Sequence, residues 1–429
     1  MEQILNPLDL AQKVAVFLGK KLVRMKDEPE LARVVSPELV LDFAGFEGKS
    51  LEENLLARDF TCNAMAVEIN NYLESGLERV VDPALGRGDL AQKRLKAVTN
   101  MALSTDPVRI LRGLRFKYEL DLASDLETVK WMAEAAPLLV QSPPERIWPE
   151  LLRLMRSEQS WKICEEMFHL GVFQAILPEL ADLAEVEQNY YHTKNVWLHS
   201  LQVYKSMEQI LVCNPFSNEL KVKVATYLDR QVGPGRVREL VKFAALVHDI
   251  GKPETQARRA DGRITFHGHD VAGEEKFIGI ARRLRLSATE TKLIAKLIKL
   301  HMRCGFLFKS DQVTDRAVHK LMLSAGEDGI GIILLSLADA MATASEHRDG
   351  AIEAGYREFL LELMHRFSFA RERYLPPALL NGKEVMQTMG LEPGVQVGLL
   401  LEDLMLAQVD GLVKTKDEAI AYLKGGSQR

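Results

Sequence analysis

Cysteine is scarce in this sequence, with four among 429 residues, at Cys62, Cys164, Cys213 and Cys304. Their scatter offers neither the paired spacing of a cysteine metal site nor a disulfide framework, and it fits a reducing cytoplasm. No apolar run reaches membrane-spanning length, and the N-terminal MEQILNPLDLAQK lacks the basic-then-apolar order of a secretory signal. A soluble protein with no membrane partner is therefore expected. Low-complexity blocks, sustained heptads and fixed-period repeats are also missing. The formal net charge of -5 excludes a uniformly basic nucleic-acid binder while leaving a local basic face open. What is abundant is Leu, Ala, Met, Glu, Lys and Arg, with aromatics at only 7%, which predicts a mostly α protein. The length allows about two to four domains.

The stretch Phe243–Lys252, FAALVHDIGK, is a buried-helix pattern that stops at His248-Asp249, with Gly251 and Pro253 beyond. At a helix end an imidazole and a carboxylate can turn toward one divalent ion. Further candidates lie at a distance: His199 in WLHSLQVYKSM, His269 with Gly273 four residues on, His301 in LIKLHMRC and Asp339 in LLSLADAMAT. An aspartate in an apolar helix is costly unless paired or metal-bound. Each histidine alone reads more readily as a satisfied core residue than as a ligand, so the weight rests on the ordered set. That order, H…HD…H…H…D, resembles the HD superfamily of metal-dependent phosphohydrolases. The resemblance implies that His199, His248, Asp249 and Asp339 hold a divalent metal such as Mn2+, Ni2+, Co2+ or Mg2+. It implies that His269 and His301 seat a second ion or the phosphate, so that His248, Asp249, His269 and His301 carry the catalysis. His267 lacks the HxxxG spacing, and His169, His192, His319, His347 and His365 read as ordinary residues.

Upstream, Pro7–Lys20 has the periodicity of an amphipathic helix, with Leu8, Ala11, Val14, Val16 and Leu18 as its apolar stripe. LVRM, ARVV and LVLDFAGF read as successive strands of a small sheet. Asp42 falls on the face opposite Leu41 and Phe43, where it points into a cleft or is simply solvated. Arg58-Asp59 then precedes a tight segment from Thr61 to Ala66. Asp106 stands before Pro107 as a helix cap would, with Arg109 one turn on. An acceptor and a forked donor side by side can read the edge of a base, and a cap plus a surface arginine would look the same.

ARDFTCNAMA, VDPALGRGDL, TDPVRILRGLRF and SPPERIWPELL together resemble the successive motifs of the bacterial (class II) tRNA nucleotidyltransferases and poly(A) polymerases, many of which carry an HD domain. LNGKEVMQTMGLEPG…DEAIAYL resembles the C-terminal helical segment of that family. By this resemblance Arg58 and Asp59 contact the ribose of the incoming nucleotide, Asp106 and Arg109 pair with the base of CTP or ATP, and Glu145, Arg146 and Glu150 brace the neck. Arg112 and Arg115, from charge and helical spacing, suit triphosphate or RNA-backbone contacts. The implied substrates are nucleoside triphosphates and the 3′ end of tRNA or another RNA, with Mg2+ for the transfer.

The departures are as informative. The family has a Gly-Gly…Arg-Asp loop and an Asp-x-Asp pair for two metal ions. This sequence has no two aspartates separated by one residue, and its only Gly-Gly is Gly425-Gly426. Two-metal phosphoryl transfer needs clustered carboxylates, and Asp42, the possible residual head carboxylate, cannot supply them alone. Ala57 stands where arginine is usual and Thr105 where glutamate is, while Pro149 should kink or restart the neck helix. The expected architecture is a truncated α+β nucleotidyltransferase head over 1–100, a helical neck and RNA-binding body over 101–190, a helical HD domain over 191–345 and a helical tail over 346–429. Three functions follow: nucleotide addition to RNA, with this chain's own competence in question and a separate polypeptide possible for the missing head; HD hydrolysis of phosphomonoesters or 2′,3′-cyclic phosphates; and a non-catalytic tRNA-binding remnant.

Overall fold

The computed structural model describes residues 6–26, 31–36, 39–45, 50–187, 195–346 and 355–426. The chain forms two compact units, Met1–Ser142 and Pro143–Arg429. Helices dominate both, as the composition predicts.

The first unit opens with helix α1 (Pro7–Leu18), where Pro7 occupies N1, the Asn6 side-chain Oδ1 accepts from the Leu8 amide at 2.8 Å, and Gly19 closes the helix in the left-handed region at φ 63°. It covers an antiparallel sheet in the order β1 (Lys21–Lys26), β2 (Leu31–Val35) and β3 (Val40–Ala44). Ala11, Ala15, Ala32 and Val34 form the joint core, with Leu8, Leu22, Leu41 and Phe43 packed on it. The buried stripe is thus narrower than expected, since Val16 is 72% exposed and Leu18 is also exposed. At about 100° per residue Val16 lies roughly a quarter turn from the Leu8–Ala15 line. The three strands follow the sequence reading, and residues 27–30 lie outside the described ones.

Further on come α2 (Asn100–Thr105) and α3 (Arg109–Glu119), the latter burying Ile110, Leu111 and Leu114. Asp106 is not the N-cap of α3. It closes α2, and the cap position of α3 falls to Val108. Pro107 fits poorly after a helical residue, so Asp106 stays outside the α region, at φ -139° and ψ 82°.

The second unit begins with α4 (Pro144–Met155), which runs unbroken through Pro149. The expected restart does not occur: the amide that proline lacks would bond only the first-turn carbonyl of Glu145, and six neighbours, Ile147, Trp148, Leu151, Leu152, Leu154 and Met155, are buried to hold the helix. After α5 (Ser160–His169) come α6 (Val196–Cys213), α7 (Val237–Val247), α8 (His269–Arg283), α9 (Ala288–Leu300), α10 (Arg303–Phe308) and α11 (Gly329–Glu346). Helix α6 packs on α7 and α11, and α9 packs on α7 and α8. NPFSNELKVKV, which reads as loop, is mostly the helix Asn218–Asp229, with Leu220, Val224, Tyr227 and Leu228 buried on one face. Only the segment after it, Gln231–Val232 against Gly235–Arg236, is a turn-like hairpin.

Buried charge ties this unit together. Lys242 on α7 donates to Glu208 Oε1 on α6 at 2.7 Å, to the backbone oxygens of Met155 and Ser157 at 2.8 and 2.7 Å, and to Ser160 Oγ at 3.2 Å. Glu208 in turn accepts from the Ser160 amide at the start of α5, at 3.0 Å. One ion pair therefore satisfies the end of α4 and the start of α5 from the two helices behind them.

Asp315–Ala344 is long and apolar enough, by length and composition, to cross a membrane, contrary to the expectation that no run would be. Its most apolar window is 72% buried inside the protein, as in a core helix. The tail carries a separate small core, centred on Leu380, Val385, Leu404, Ala407, Ala419 and Leu423.

Candidate metal centre and nucleotide-reading residues

The HD residues converge. His248 caps the end of α7, His301 caps the end of α9, and His269 is the first residue of α8. In each the ring Nδ1 bonds the carbonyl three residues earlier: Ala245 at 2.9 Å, Ile298 at 2.6 Å and Phe266 at 2.7 Å. The oxygens of Ala245 and Ile298 belong to last-turn carbonyls that α-helices leave without an amide, so the ring satisfies them and presents Nε2 outward. His199 on α6 faces Asp339 on α11, Nε2 to Oδ1 3.1 Å, and Asp249 Oδ2 at 3.8 Å. Asp249 sits 3.2 Å from His248 Nε2 and 3.3 Å from His269 Nε2.

Two sets lie within 4.8 Å ligand to ligand, His199, His248 and Asp339, and His248, Asp249 and His301. These donors fit a divalent cation. The Nε2 atoms of His269 and His301 are 3.2 Å apart. With each Nδ1–H given to a carbonyl, two neutral rings would oppose their lone pairs, which only a shared proton or a cation relieves.

Burial alone would lower the His269 pKa, but the adjoining Asp249 carboxylate raises it above the ordinary value. Burial and the neighbouring imidazoles of His248 and His269 push His301 down to about 4. Burial would raise Asp249, yet His248 and Lys252 hold it well below the usual carboxylate range. Asp339 is likewise held low by His199 against its burial.

The HxxxG spacing has a structural cause. A Cβ on Gly251 would come within 2.2 Å of the His269 carbonyl oxygen and 2.4 Å of the Gly273 amide nitrogen. The absence of side chains there lets the HD turn touch the first turn of α8 and brings His269 to the cluster. Beside the site lies a small hairpin, β4 (Ala257–Arg258) with β5 (Ile264–Thr265). Lys252 reaches Asp249 Oδ2 at 2.7 Å and lies over the Phe266 ring, whereas Arg258 and Arg263 are 67% and 70% exposed. His267 is exposed and bonded to Arg259. The cleft holds about 370 Å³ and is lined also by Phe266, Met302, Phe306 and Thr343. Sequence reading missed Phe306, for which there was no signal beyond its place five residues after His301. His319, as expected, is a satisfied core residue, bonded to the Tyr374 carbonyl. His192 and His347 fall outside the described residues.

In the first unit Asp106 and Arg109 do stand together, at 3.5 Å, with Arg109 Nη1 also donating to the carbonyls of Ala57 and Ala102. Arg58 is exposed, but Asp59 is 3% exposed and receives Arg112 Nε at 2.7 Å. Burial would raise the Asp59 pKa; Arg112, with Asn63, instead lowers it. Arg115 pairs with Glu119 at 2.9 Å. Asp42 is solvent-facing and clasped by Arg33 on β2 through two bonds of 2.6 and 2.8 Å. In the second unit Glu145 and Arg146 are exposed, and Glu150 is buried against Arg153. Among the described residues, both groupings of His, Cys, Asp and Glu close enough to share an ion lie in the HD cluster.

Such a chain is a mostly helical protein with an HD-type metal centre, and comparison with known proteins places it further. Residues 123–183 match the "Probable RNA and SrmB-binding site of polymerase A", and residues 190–344 match the HD domain. An A-adding tRNA nucleotidyltransferase of Deinococcus radiodurans is 31% identical over 98% of this chain and 89% of its own length. A CC-adding tRNA nucleotidyltransferase of Thermus thermophilus is 29% identical over 99% of this chain and 89% of its own. The chain belongs to the tRNA nucleotidyltransferase family. In fold it resembles a CCA-adding enzyme solved with CTP, with a TM-score of 0.63 at 16% identity over 99% of this chain and 85% of that one. The Thermotoga maritima CCA-adding enzyme solved with tRNA gives a TM-score of 0.58 at 18% identity, over 98% and 84%.

Proposed function

We propose that this family member binds tRNA and nucleoside triphosphates, and that the reaction centre complete within its own residues is the HD cluster, a hydrolase of phosphomonoesters or 2′,3′-cyclic phosphates at RNA ends. The observation carrying this reading is the convergence of His199, His248, Asp249, His269, His301 and Asp339 on one cleft. His199, His248, Asp249 and Asp339 would hold the divalent ion, Mn2+, Ni2+, Co2+ or Mg2+, which when bound supplies a water of lowered pKa and polarises the phosphoryl oxygen. Lys252, only 10% exposed, brings positive charge to the phosphate side of the cleft. His269 can carry a proton at Nε2 toward a leaving oxygen, and His301 accepts from it. Purified protein with divalent ions should hydrolyse an aryl phosphate or a 2′,3′-cyclic nucleotide, and Asp249→Ala should abolish this. Hydrolysis unchanged in that variant rejects the assignment.

For nucleotide addition, which the names of the relatives support, this reading takes Arg58, Asp59, Asp106, Arg109 and Arg112 as nucleotide-binding residues and Glu145, Arg146 and Glu150 as neck support. Transfer through two Mg2+ ions needs paired carboxylates. No Asp-x-Asp occurs among the 429 residues, and Asp42 is already engaged by Arg33. Addition by these 429 residues alone would lack that carboxylate pair. Incubation with tRNA lacking its 3′ end, labelled CTP or ATP and Mg2+ tests this: extension by the chain alone overturns it. If neither chemistry occurs but tRNA binding is salt-sensitive, the chain is a non-catalytic binder. The division into head, neck and body, HD domain and tail at about residues 100, 190 and 345 belongs to this reading, as does a cytoplasmic location.

A further inference from the structure

The organic group on the substrate of the HD cleft is the open question that Phe306 answers. Helix α10 turns Cys304 fully inward, and Phe308 packs on Tyr356 and Phe359 at ring separations of 4.9 and 5.5 Å. Phe306, on the same short helix, lines the cleft and is 57% exposed. Phe266, the other aromatic ring of the lining, is already covered by the Lys252 ammonium at 5.2 Å from its centroid. The cleft therefore presents cationic and ion-binding groups around Asp249 together with one open aromatic face. Its volume of about 370 Å³ is in the range of small-molecule pockets.

We propose that Phe306 is a specificity-determining residue that stacks on a nucleobase, so that the HD cleft selects nucleoside phosphates over phosphoesters that carry no base. This rests on the hydrolase reading above. A flat π-face suits every base and requires no hydrogen-bond register, so selection is for the presence of a base and not for its identity.

The test compares a 2′,3′-cyclic nucleotide with the 2′,3′-cyclic phosphate of methyl riboside, which has no base, using metal-loaded wild type, Phe306→Ala and Phe306→Trp. Phe306→Ala should raise KM for the nucleotide at least fivefold, the equivalent of about 1 kcal/mol of stacking, with kcat little changed. Phe306→Trp should restore it, and the ratio between the two substrates should collapse only in the alanine variant. A readout independent of turnover is the fluorescence of 2-aminopurine riboside monophosphate, quenched on stacking by wild type and Phe306→Trp and unquenched by Phe306→Ala. If wild type hydrolyses both substrates equally and Phe306→Ala changes neither ratio nor quenching, the proposal is overturned while the hydrolase reading stands. If wild type hydrolyses neither, the hydrolase reading fails and this inference falls with it.

Discussion

Proton competition at His269 gives the sharpest quantitative expectation. Its pKa is raised above the ordinary 6.5, whereas His301 sits near 4, so above about pH 6.5 His269 alone of the two must lose a proton before the pair can seat a second cation beside the one that His199, His248, Asp249 and Asp339 would hold. Below the raised pKa each pH unit should weaken cation binding about tenfold, or about 1.4 kcal/mol. At a cation concentration about a hundredfold above Kd the folded protein gains about 2.7 kcal/mol; one unit lower, at about tenfold above Kd, the gain halves to about 1.4 kcal/mol. The cation-free protein should show the opposite slope. A raised histidine contributes stability that is present below its unfolded pKa and lost as pH rises through its folded value, while the depressed His301 contributes stability that is lost as pH falls toward 4. Thermal unfolding with and without Mn2+, from pH 6.5 to 8.5, reads both slopes. A cation-induced rise in Tm that is flat across this range, or one that survives in Asp249→Ala, would refute the reasoning.

Lys242→Met should destabilise the second unit by about 3–5 kcal/mol, because it leaves the Glu208 charge buried alone; adding Glu208→Leu should recover much of that loss in urea unfolding. Gly251→Ala places a methyl against the His269 carbonyl and should remove the Mn2+-induced gain in Tm while far-UV circular dichroism remains helical. Arg112→Met strips the buried Asp59 of its ion pair and should weaken CTP or ATP binding at least tenfold by calorimetry, with a smaller loss in Arg115→Met, whose partner Glu119 is exposed.

Much of this was legible in the sequence because chemistry fixes it locally. His248-Asp249 at the end of an apolar run, and Gly273 four residues after His269, are spacings with direct backbone causes, and the structure brings both into one cluster. Short-range patterns misled where tertiary packing decides. Asp106 next to Pro107 looks like a cap, but the chain bends there and the cap falls to Val108. Pro149 looks like a breaker, but burial carries α4 through it. The Lys242–Glu208 pair was invisible because its members lie on helices far apart in sequence and each reads as an ordinary surface residue. Phe306 was invisible for the opposite reason: a phenylalanine in an apolar helix is expected to be core, and only the packing shows its neighbours taking the interior places.

The imidazole-to-carbonyl bonds of His248, His269 and His301 each span three residues, and this has a consequence for how the gene can change length. Ala245–His248, Phe266–His269 and Ile298–His301 behave as fixed-length cassettes, in which one inserted or deleted codon would swing a ring away from its neighbours. The tip between Arg259 and Arg263 is exposed and hangs beyond the β4–β5 pairing, so gaps between related genes should gather there and spare the cassettes.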